Sequence, residues 1–377
     1  MGILKDLTEE YFGEKVRKED EIDIFGLDVE IVTFTDNNGK YHRRGYKPKE
    51  IYSLKILLKR MIEVRGDEGD FNDIDTSEIE SMMMLFDGNK TFNGNISGWN
   101  VSEVEDMSYM FEDAKSFNQD ISKWDVSKVT NMSDMFNGAT SFNQKIGDWK
   151  FPKVKYMKNM FNDATSFNQK IGDWKFPKVE DMSFMFSGAT SFNQKIGDWK
   201  FPNVTDMCGM FSGATSFNQD ISKWEFPNVT DMKFMFKDAT SFNQKISDWK
   251  FPNVIYINYM FCNATSFNQK IGDWEFPNVR NMEGMFSGAT SFNQPIGDWK
   301  FPKVKDMECM FSGATSFNQP IGDWKFPKVI TMCSMFNGAT SFNQDLSSWD
   351  LTNINTEDFF HKDCPIKDEY KPKMKKE

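Results

Sequence analysis

The chain repeats one pattern of hydrophobic and polar positions every 25 residues from residue 96 onward. All eleven tryptophans, from Trp99 to Trp349, fall on one position of this repeat, with no insertion or deletion between them. The consensus is I-G-D-W-K-F-P-x-V-x-D-M-x-x-M-F-x-G-A-T-S-F-N-Q. A fixed period with aligned aromatic residues is typical of a stack in which each repeat covers the next. The pattern therefore predicts one elongated array instead of several separate globular domains.

Within each repeat the hydrophobic period changes from that of a strand to that of a helix. Polar and apolar residues alternate around Trp149, which predicts a short strand that ends at Pro152. Val154, Met157 and Met160 then follow helical spacing. An Asp or Asn before the first Met suits a helix N-cap, and a Gly, Asn or Asp after the Phe suits a left-handed helix end. The predicted fold class is an α/β repeat solenoid with one short strand and one short helix per 25 residues.

Each repeat returns to the next through the segment A-T-S-F-N-Q, whose asparagines form a column from Asn93 to Asn343. A polar residue at a fixed position of a packed turn needs a hydrogen-bond partner. We expect each asparagine to bond the backbone of the neighbouring repeat.

The start of the chain departs from the consensus and is predicted to cap the array. Residues 1–70 form this N-terminal cap, with a hairpin that turns at residues 36–39 and a helix over residues 48–64. The array itself is predicted over residues 71–349, and residues 71–86 form a degenerate half-repeat at its start. Atypical terminal repeats are what an array needs to close its core.

The end of the chain departs from the consensus as well. Residues 350–364 are predicted to form a C-terminal cap, in which Ile354, Phe359 and Phe360 line a shortened final helix. Residues 365–377 are highly charged and are predicted to be a flexible tail.

The repeat signature I-x-x-W-x-[FV]-x-x-V-x-x-M-x-x-M-F-x-x-A-x-x-F-N-Q resembles that of the BspA-like leucine-rich repeat family of bacterial surface proteins. The resemblance extends from residue 71 to about residue 360, and residues 310–319 carry its M-F-x-G-A-x-S-F-N-Q segment. It implies a right-handed leucine-rich-repeat-like coil. It also implies a place on the bacterial cell surface and a role in adhesion or protein binding.

Charge and hydropathy exclude two classes of partner. The chain carries 45 basic and 56 acidic residues, a net charge of -11, whereas nucleic-acid binding requires clustered Lys and Arg. No apolar run approaches the length that spans a membrane, so we expect no membrane insertion. The N-terminus shows neither a secretory signal nor a lipobox, which leaves a cytoplasmic location or export by another route open beside the cell surface.

No motif in the sequence predicts catalysis. The chain has two histidines, and no nucleophile elbow, zinc-protease, phosphate-loop or dinucleotide motif is present. The cysteines lack C-x-x-C spacing and are expected to be inert thiols, not metal ligands. They are Cys208, Cys262, Cys309, Cys333 and Cys364. We expect a protein that is not an enzyme and uses no cofactor or metal.

The residues on either side of each tryptophan form the candidate binding face. In most repeats Asp precedes Trp and Lys follows it, which gives two stripes of opposite charge on the exposed side of the predicted strand. The candidate residues are Asp148, Lys150, Asp173, Lys175, Asp198, Lys200, Lys223, Glu225, Asp248, Lys250, Asp273, Glu275, Asp298, Lys300, Asp323 and Lys325. The signs swap at Lys223 and Glu225, and Asp273 with Glu275 makes an acidic spot. The alternative is that these charges only relieve like-charge contacts between neighbouring repeats.

The sequence favours a non-enzymatic, adhesin-like protein that presents a regular, concave strand face to a partner. The expected partner is a protein, with host and extracellular-matrix proteins both open, or a glycan. The alternative is an architectural spacer or a cytoplasmic scaffold whose end regions carry the binding.

Overall fold

The computed structural model describes residues 22–35, 41–360 and 363–374. Its regular elements are few. Strands β1 (Val29–Thr35) and β2 (Tyr41–Pro48) form an antiparallel pair, followed by helix α1 (Ile51–Arg65) and, near the end of the chain, by a 3₁₀ helix (Asp368–Tyr370). The described repeats consist of turns and single parallel bridges. No helix in the described part of the chain is long and apolar enough to cross a membrane.

The hairpin and the helix predicted before the array are confirmed, while the predicted turn at residues 36–39 lies outside the described residues. Helix α1 buries Leu54, Leu58 and Met61, as its hydrophobic spacing predicted. Strand β2 joins the hairpin to the array, because the amide of Tyr46 donates to the carbonyl of Asp73 at 2.8 Å. The N-terminal elements therefore cover the first turn of the stack.

Successive repeats are joined by a ladder of parallel backbone bridges. One bridge recurs at each repeat, from Ser81 with Asp106 to Thr331 with Asn355. Beside it, the amide of Met157 donates to the carbonyl of Asp181 at 3.0 Å. We call this feature the bridge ladder. It means that the backbone of one repeat is satisfied by the next repeat.

The short helix predicted in each repeat is absent between residues 96 and 345, so that prediction was wrong. The segment V-x-x-M-x-x-M-F forms turns instead, in which the amide of Met160 donates to the carbonyl of Met157 at 3.2 Å. Asn159 has a φ of 53°, which no right-handed helix contains. A helix of two turns would leave most of its amides and carbonyls without partners. The neighbouring repeat offers those groups partners, and the i, i+3 spacing of the apolar residues suits turns equally well.

The short strand predicted around each tryptophan is also absent from these repeats. The amide of Trp149 closes a turn on the carbonyl of Ile146 at 3.2 Å. The inter-repeat bridges lie seven residues later, at Tyr156 and its equivalents. Polar and apolar residues alternate here because Trp149 is buried while its two neighbours are exposed. The alternation does not reflect a strand.

The core is a set of aligned aromatic columns. Every tryptophan of the array is at most 4% exposed. The rings of Trp174 and Trp199 stack with centroids 6.3 Å apart, and Phe161 stacks on Phe167 at 4.0 Å. The indole Nε1 of Trp174 donates to the carbonyl of Ile146 in the preceding repeat at 3.1 Å. Burial of the tryptophan column is confirmed, and each side chain packs against its own copies.

The predicted asparagine ladder is confirmed. The Asn193 Oδ1 atom accepts hydrogen bonds from the amide of Asn218 at 3.0 Å and from the Gln219 Nε2 atom at 2.9 Å. The same arrangement recurs along the column. The predicted left-handed conformation two positions after the Phe is confirmed as well. Examples are Gly138, with a φ of 68°, and Asp163, with a φ of 52°.

The end of the chain closes the last repeat, which corrects two expectations, a shortened helix within residues 350–364 and a flexible tail over residues 365–377. Of these ranges, residues 361–362 and 375–377 lie outside the described residues. The described residues 350–360 contain no helix. The amide of Leu346 donates to the carbonyl of Tyr370, and that of Leu351 donates to the carbonyl of Lys373, both at 2.8 Å. Ile366 is buried. Without the end segment, amides at the open end of the stack would lack partners. The hydrogen bonds that they make with this segment offset the entropy cost of ordering it.

One tryptophan offers an internal test of the indole hydrogen bonds. Among the described buried side chains, the Trp124 Nε1 atom lacks a hydrogen-bond partner, whereas that of Trp149 donates to the carbonyl of Ile121. We expect Trp149→Phe to lower the free energy of unfolding by about 0.5–1.5 kcal/mol more than Trp124→Phe, because only the former removes a hydrogen bond. Urea denaturation of both variants measures the difference. Equal losses would contradict a stabilising role for the indole bond.

Candidate functional site

All sixteen candidate residues beside the tryptophans are exposed, on either side of a buried indole. Where the signs swap, the Lys223 Nζ atom lies 3.3 Å from an Asp198 carboxylate oxygen in the preceding repeat. Both side chains are more than 70% exposed, so this ion pair contributes little stability. The swap therefore places opposite charges side by side, as the charge-relief alternative predicted. Whether these residues bind a partner stays a prediction.

The spacing between repeats differs across the array. Equivalent rings are 6.3 Å apart at Trp174 and Trp199, but 5.6 Å apart at Phe161 and Phe186. Hydrogen-bonded neighbours in a ladder lie about 4.7–4.9 Å apart. The bridge ladder therefore lies on the closely spaced side of the stack, and the residues beside the tryptophans lie on its wider side. Whether those residues line a concave face stays a prediction.

The four x positions of V-x-x-M-x-x-M-F surround the bridge ladder, and we call them the variable face. The first ten repeats carry ten different sets of residues at these positions, such as TD-KF over residues 230–234 and IY-NY over residues 255–259. In contrast, Asp-Trp-Lys recurs unchanged in six repeats. Most side chains of the variable face are exposed or half-buried. Sequence variation is thus concentrated on one side of the array, where core packing does not dictate the residue.

Aromatic rings of the variable face lie along the stack. The fourth x position is left-handed in each repeat, with a φ of 53° at Phe184 and 56° at Tyr259. Phe184 covers Gly209 of the next repeat, where a Cβ atom would lie 2.3 Å from the ring, and Tyr259 covers Gly284 in the same way. The glycines therefore leave room for the aromatic rings that precede them.

The largest aromatic cluster of this face lies in the sixth and seventh repeats. Phe234 stacks on Tyr259 with ring centroids 5.3 Å apart, and Tyr256 is 42% exposed. The Lys233 Nζ atom lies 5.9 Å from the centre of the Tyr256 ring. Burial, followed by a hydrogen bond from its hydroxyl to Glu283, raises the pKa of Tyr259. We call Phe234, Tyr256 and Tyr259 the aromatic patch. The aromatic patch therefore combines exposed apolar surface with the Tyr259 hydroxyl, which stays protonated.

An acidic and sulfur-containing cluster adjoins this patch. One ligand atom each of Asp206, Cys208 and Asp231 lies within 4.8 Å of the other two. The Lys233 Nζ atom, 2.9 Å from an Asp231 oxygen, already balances one negative charge. Burial raises the pKa of Asp206, and it raises the pKa of Cys208 to about 12. The sequence did not predict this grouping, because the two aspartates lie one repeat apart and meet only through stacking.

Burial predicts that Cys208 is unreactive. Its side chain is 3% exposed and its raised pKa keeps the thiol protonated, whereas the thiolate is the nucleophile. In mildly alkaline buffer we expect iodoacetamide to modify Cys208 at least about tenfold more slowly than the half-buried Cys333, with the difference abolished in urea. Peptide mass spectrometry measures both rates. Equal rates in the folded chain would contradict the burial of Cys208.

No curated protein shows significant similarity to the chain. A family model described as "Mycoplasma protein of unknown function, DUF285" matches three successive stretches, residues 57–174, 165–274 and 257–370. Together these matches run from residue 57 to residue 370, which is well over half of the chain. The chain is therefore a tandem-repeat protein that belongs to the DUF285 family.

Proposed function

We propose that this protein is a non-catalytic, adhesin-like binding protein that captures a protein partner on the variable face. In this proposal the repeats form a right-handed solenoid like that of BspA-like leucine-rich repeats, and the protein acts at the cell surface, as that resemblance implies. The observation that carries the proposal is the contrast between a uniform core and ten different sets of residues on one face.

Packing explains the uniform core but not the variation. A buried column must fit its copies on both sides, so the same residue recurs in repeat after repeat. A face that had only to stay in water could use the same residues in every repeat, as the Asp-Trp-Lys segments do. A partner with an irregular surface would instead require a different set of side chains from each repeat. The variation therefore supports recognition of an irregular partner.

The aromatic patch supports a protein partner. Tyr and Phe are enriched at the centres of protein interfaces, and Tyr is among the residues whose loss costs the most binding energy there. Tyr256 offers an exposed ring, and the stacked pair of Phe234 and Tyr259 holds rigid apolar area beside it.

An architectural spacer is the second candidate. The unchanged Asp-Trp-Lys segments and their paired charges favour it for the side of the array that carries the tryptophans. In that case the repeats would only set the distance between two binding ends, and changes on either side of the array would leave binding intact.

A triple variant, Phe234→Ser, Tyr256→Asp and Tyr259→Ser, tests the proposal. Each new residue occurs at the same position in another repeat, so the stack tolerates it. We expect partner capture to fall at least about tenfold, because loss of central aromatic residues costs an interface more than about 1.4 kcal/mol. Quantitative pull-downs from lysates of its own cells and of host cells measure the effect.

The matched control reverses charge on the other side, with Lys150→Glu, Lys175→Glu and Lys200→Glu. Retained capture in this control and lost capture in the triple variant supports the variable face. The opposite result assigns binding to the residues beside the tryptophans. Unchanged capture in both variants would sink the proposal in favour of a spacer.

A further inference from the structure

A shallow groove of about 510 Å³ runs along the array next to the aromatic patch. It crosses the fifth to eighth repeats, and each repeat contributes an asparagine and the residue two positions later. We call Asn203, Asn228, Asn253 and Asn278 the asparagine row. Ile255 and Arg280 line the same groove.

The amides of the asparagine row are held in place. The Nδ2 atom of Asn228 donates to the carbonyl of Pro202 in the preceding repeat at 2.7 Å, and the other three asparagines make the same bond. A carboxamide has a second N–H and an oxygen beyond the hydrogen that this bond uses. Each side chain is therefore fixed with a second N–H left to meet a ligand, so that little conformational entropy is lost on binding. The Oδ1 atom of Asn278 already accepts a hydrogen bond from the Lys303 Nζ atom at 2.6 Å, so the acceptors left for a ligand are those of Asn203, Asn228 and Asn253.

The fold does not require asparagine at this position. Other repeats carry lysine there, namely Lys128, Lys153, Lys178, Lys303 and Lys328, and they stack in the same way. The asparagines thus replace a charged row by an uncharged amide row over four consecutive repeats. This replacement changes the surface chemistry without changing the core.

The repeat spacing beside the row is close to the advance of two residues of an extended polypeptide. The rings of the phenylalanines two residues before the asparagines advance by 6.5 Å from Phe201 to Phe226, by 6.4 Å from Phe226 to Phe251 and by 6.1 Å from Phe251 to Phe276. Two residues of an extended or polyproline-II chain advance by about 6.2–6.8 Å. Every second peptide group of such a chain would meet a new asparagine. A carboxamide complements a peptide group, because each has one donor beside one acceptor.

The charges at the two ends of the groove indicate the charge of a complementary ligand. Lys153 and Lys178 precede the asparagine row at the equivalent position, and Lys303 and Lys328 follow it. Arg280 lies inside the groove near its later end. The groove is thus uncharged along its centre and basic at both ends.

We propose that the groove binds an extended polypeptide segment with an uncharged centre flanked by acidic residues. Its main chain bonds the asparagine row, and alternate side chains reach Ile255 and the aromatic patch, as in other extended-peptide sites where main-chain bonds give affinity and pockets give specificity. This inference rests on the proposed function and names the kind of protein segment that is recognised.

Selection from a random-peptide display library on the immobilised full chain tests the inference. We expect enrichment of peptides with a neutral centre and acidic ends. For a selected peptide, we expect the variant with all four asparagines of the row changed to alanine to bind at least about tenfold more weakly, a loss of more than about 1.4 kcal/mol. Fluorescence anisotropy measures the affinity, and the thermal midpoint verifies that the variant folds.

Two further measurements separate main-chain recognition from general stickiness. Methylating the backbone nitrogens of every second residue of the selected peptide should abolish binding in one phase and spare it in the other. Changing the four asparagines to lysine, the chain's own residue at this position, should also weaken binding although it adds positive charge.

Three results would overturn the inference: equal affinity for the alanine variant, equal effects of methylation in both phases, or displacement of the peptide by an uncharged oligosaccharide. If the Phe234, Tyr256 and Tyr259 variant still loses its protein partner in pull-downs, then the proposed function stands and only the groove assignment fails.

Discussion

Each repeat of this protein completes its backbone hydrogen bonds through the next repeat, and the rest of the structure depends on that exchange. The amide of Phe161 donates to the carbonyl of Met185 in the following repeat at 2.9 Å, and the equivalent bond recurs along the array. The buried indole of Trp174 and the amide of Asn193 make side-chain versions of the same contact. Because a repeat lacks partners without its neighbours, both ends must be closed, and the hairpin with α1 and the segment over residues 363–374 do so.

This exchange of hydrogen bonds also determines which positions of the repeat must keep the same residue and which can vary. Residues that point into the stack meet their own copies and therefore recur with little change, as Met157 and Phe161 do. Residues at the bridge ladder contribute their backbone to the stack but leave their side chains half-buried or exposed. Side chains of different size can therefore replace one another there: Phe184 is followed by Gly209 in the next repeat, whereas Phe234 is followed by Tyr259 and stacks on it. A surface of this kind can change its ligand without changing its fold, which is the physical basis of the proposed binding role.

Within the repeats, sequence reasoning succeeded where a signal depended on one residue at one position and failed where it depended on the short hydrophobic period. Burial of the tryptophans, the asparagine ladder and the left-handed glycines each follow from one residue type at one place. The apolar spacing of Val154, Met157 and Met160 fits a helix, but it fits a series of turns equally well, so the predicted helix was wrong. The prediction of a flexible tail was wrong because it rested on the charged composition of the segment and gave no weight to Ile366, which is buried in the core. Exposure of the sixteen residues beside the tryptophans was predicted correctly, but the position of the bridge ladder seven residues after each tryptophan was not.

The sequence by itself determined that this chain is a single stack of 25-residue units, which residues form its core and where its caps lie. The physical reason is that each unit of a strict repeat packs against units with the same length and the same core residues. Only the tertiary structure decided which segment carries the bridge ladder. It alone brought Asp206 beside Asp231 and aligned the asparagine row into a groove. Those features arise from contacts between residues one repeat apart, and the distance across that gap is set by packing and hydrogen bonding that no local pattern specifies.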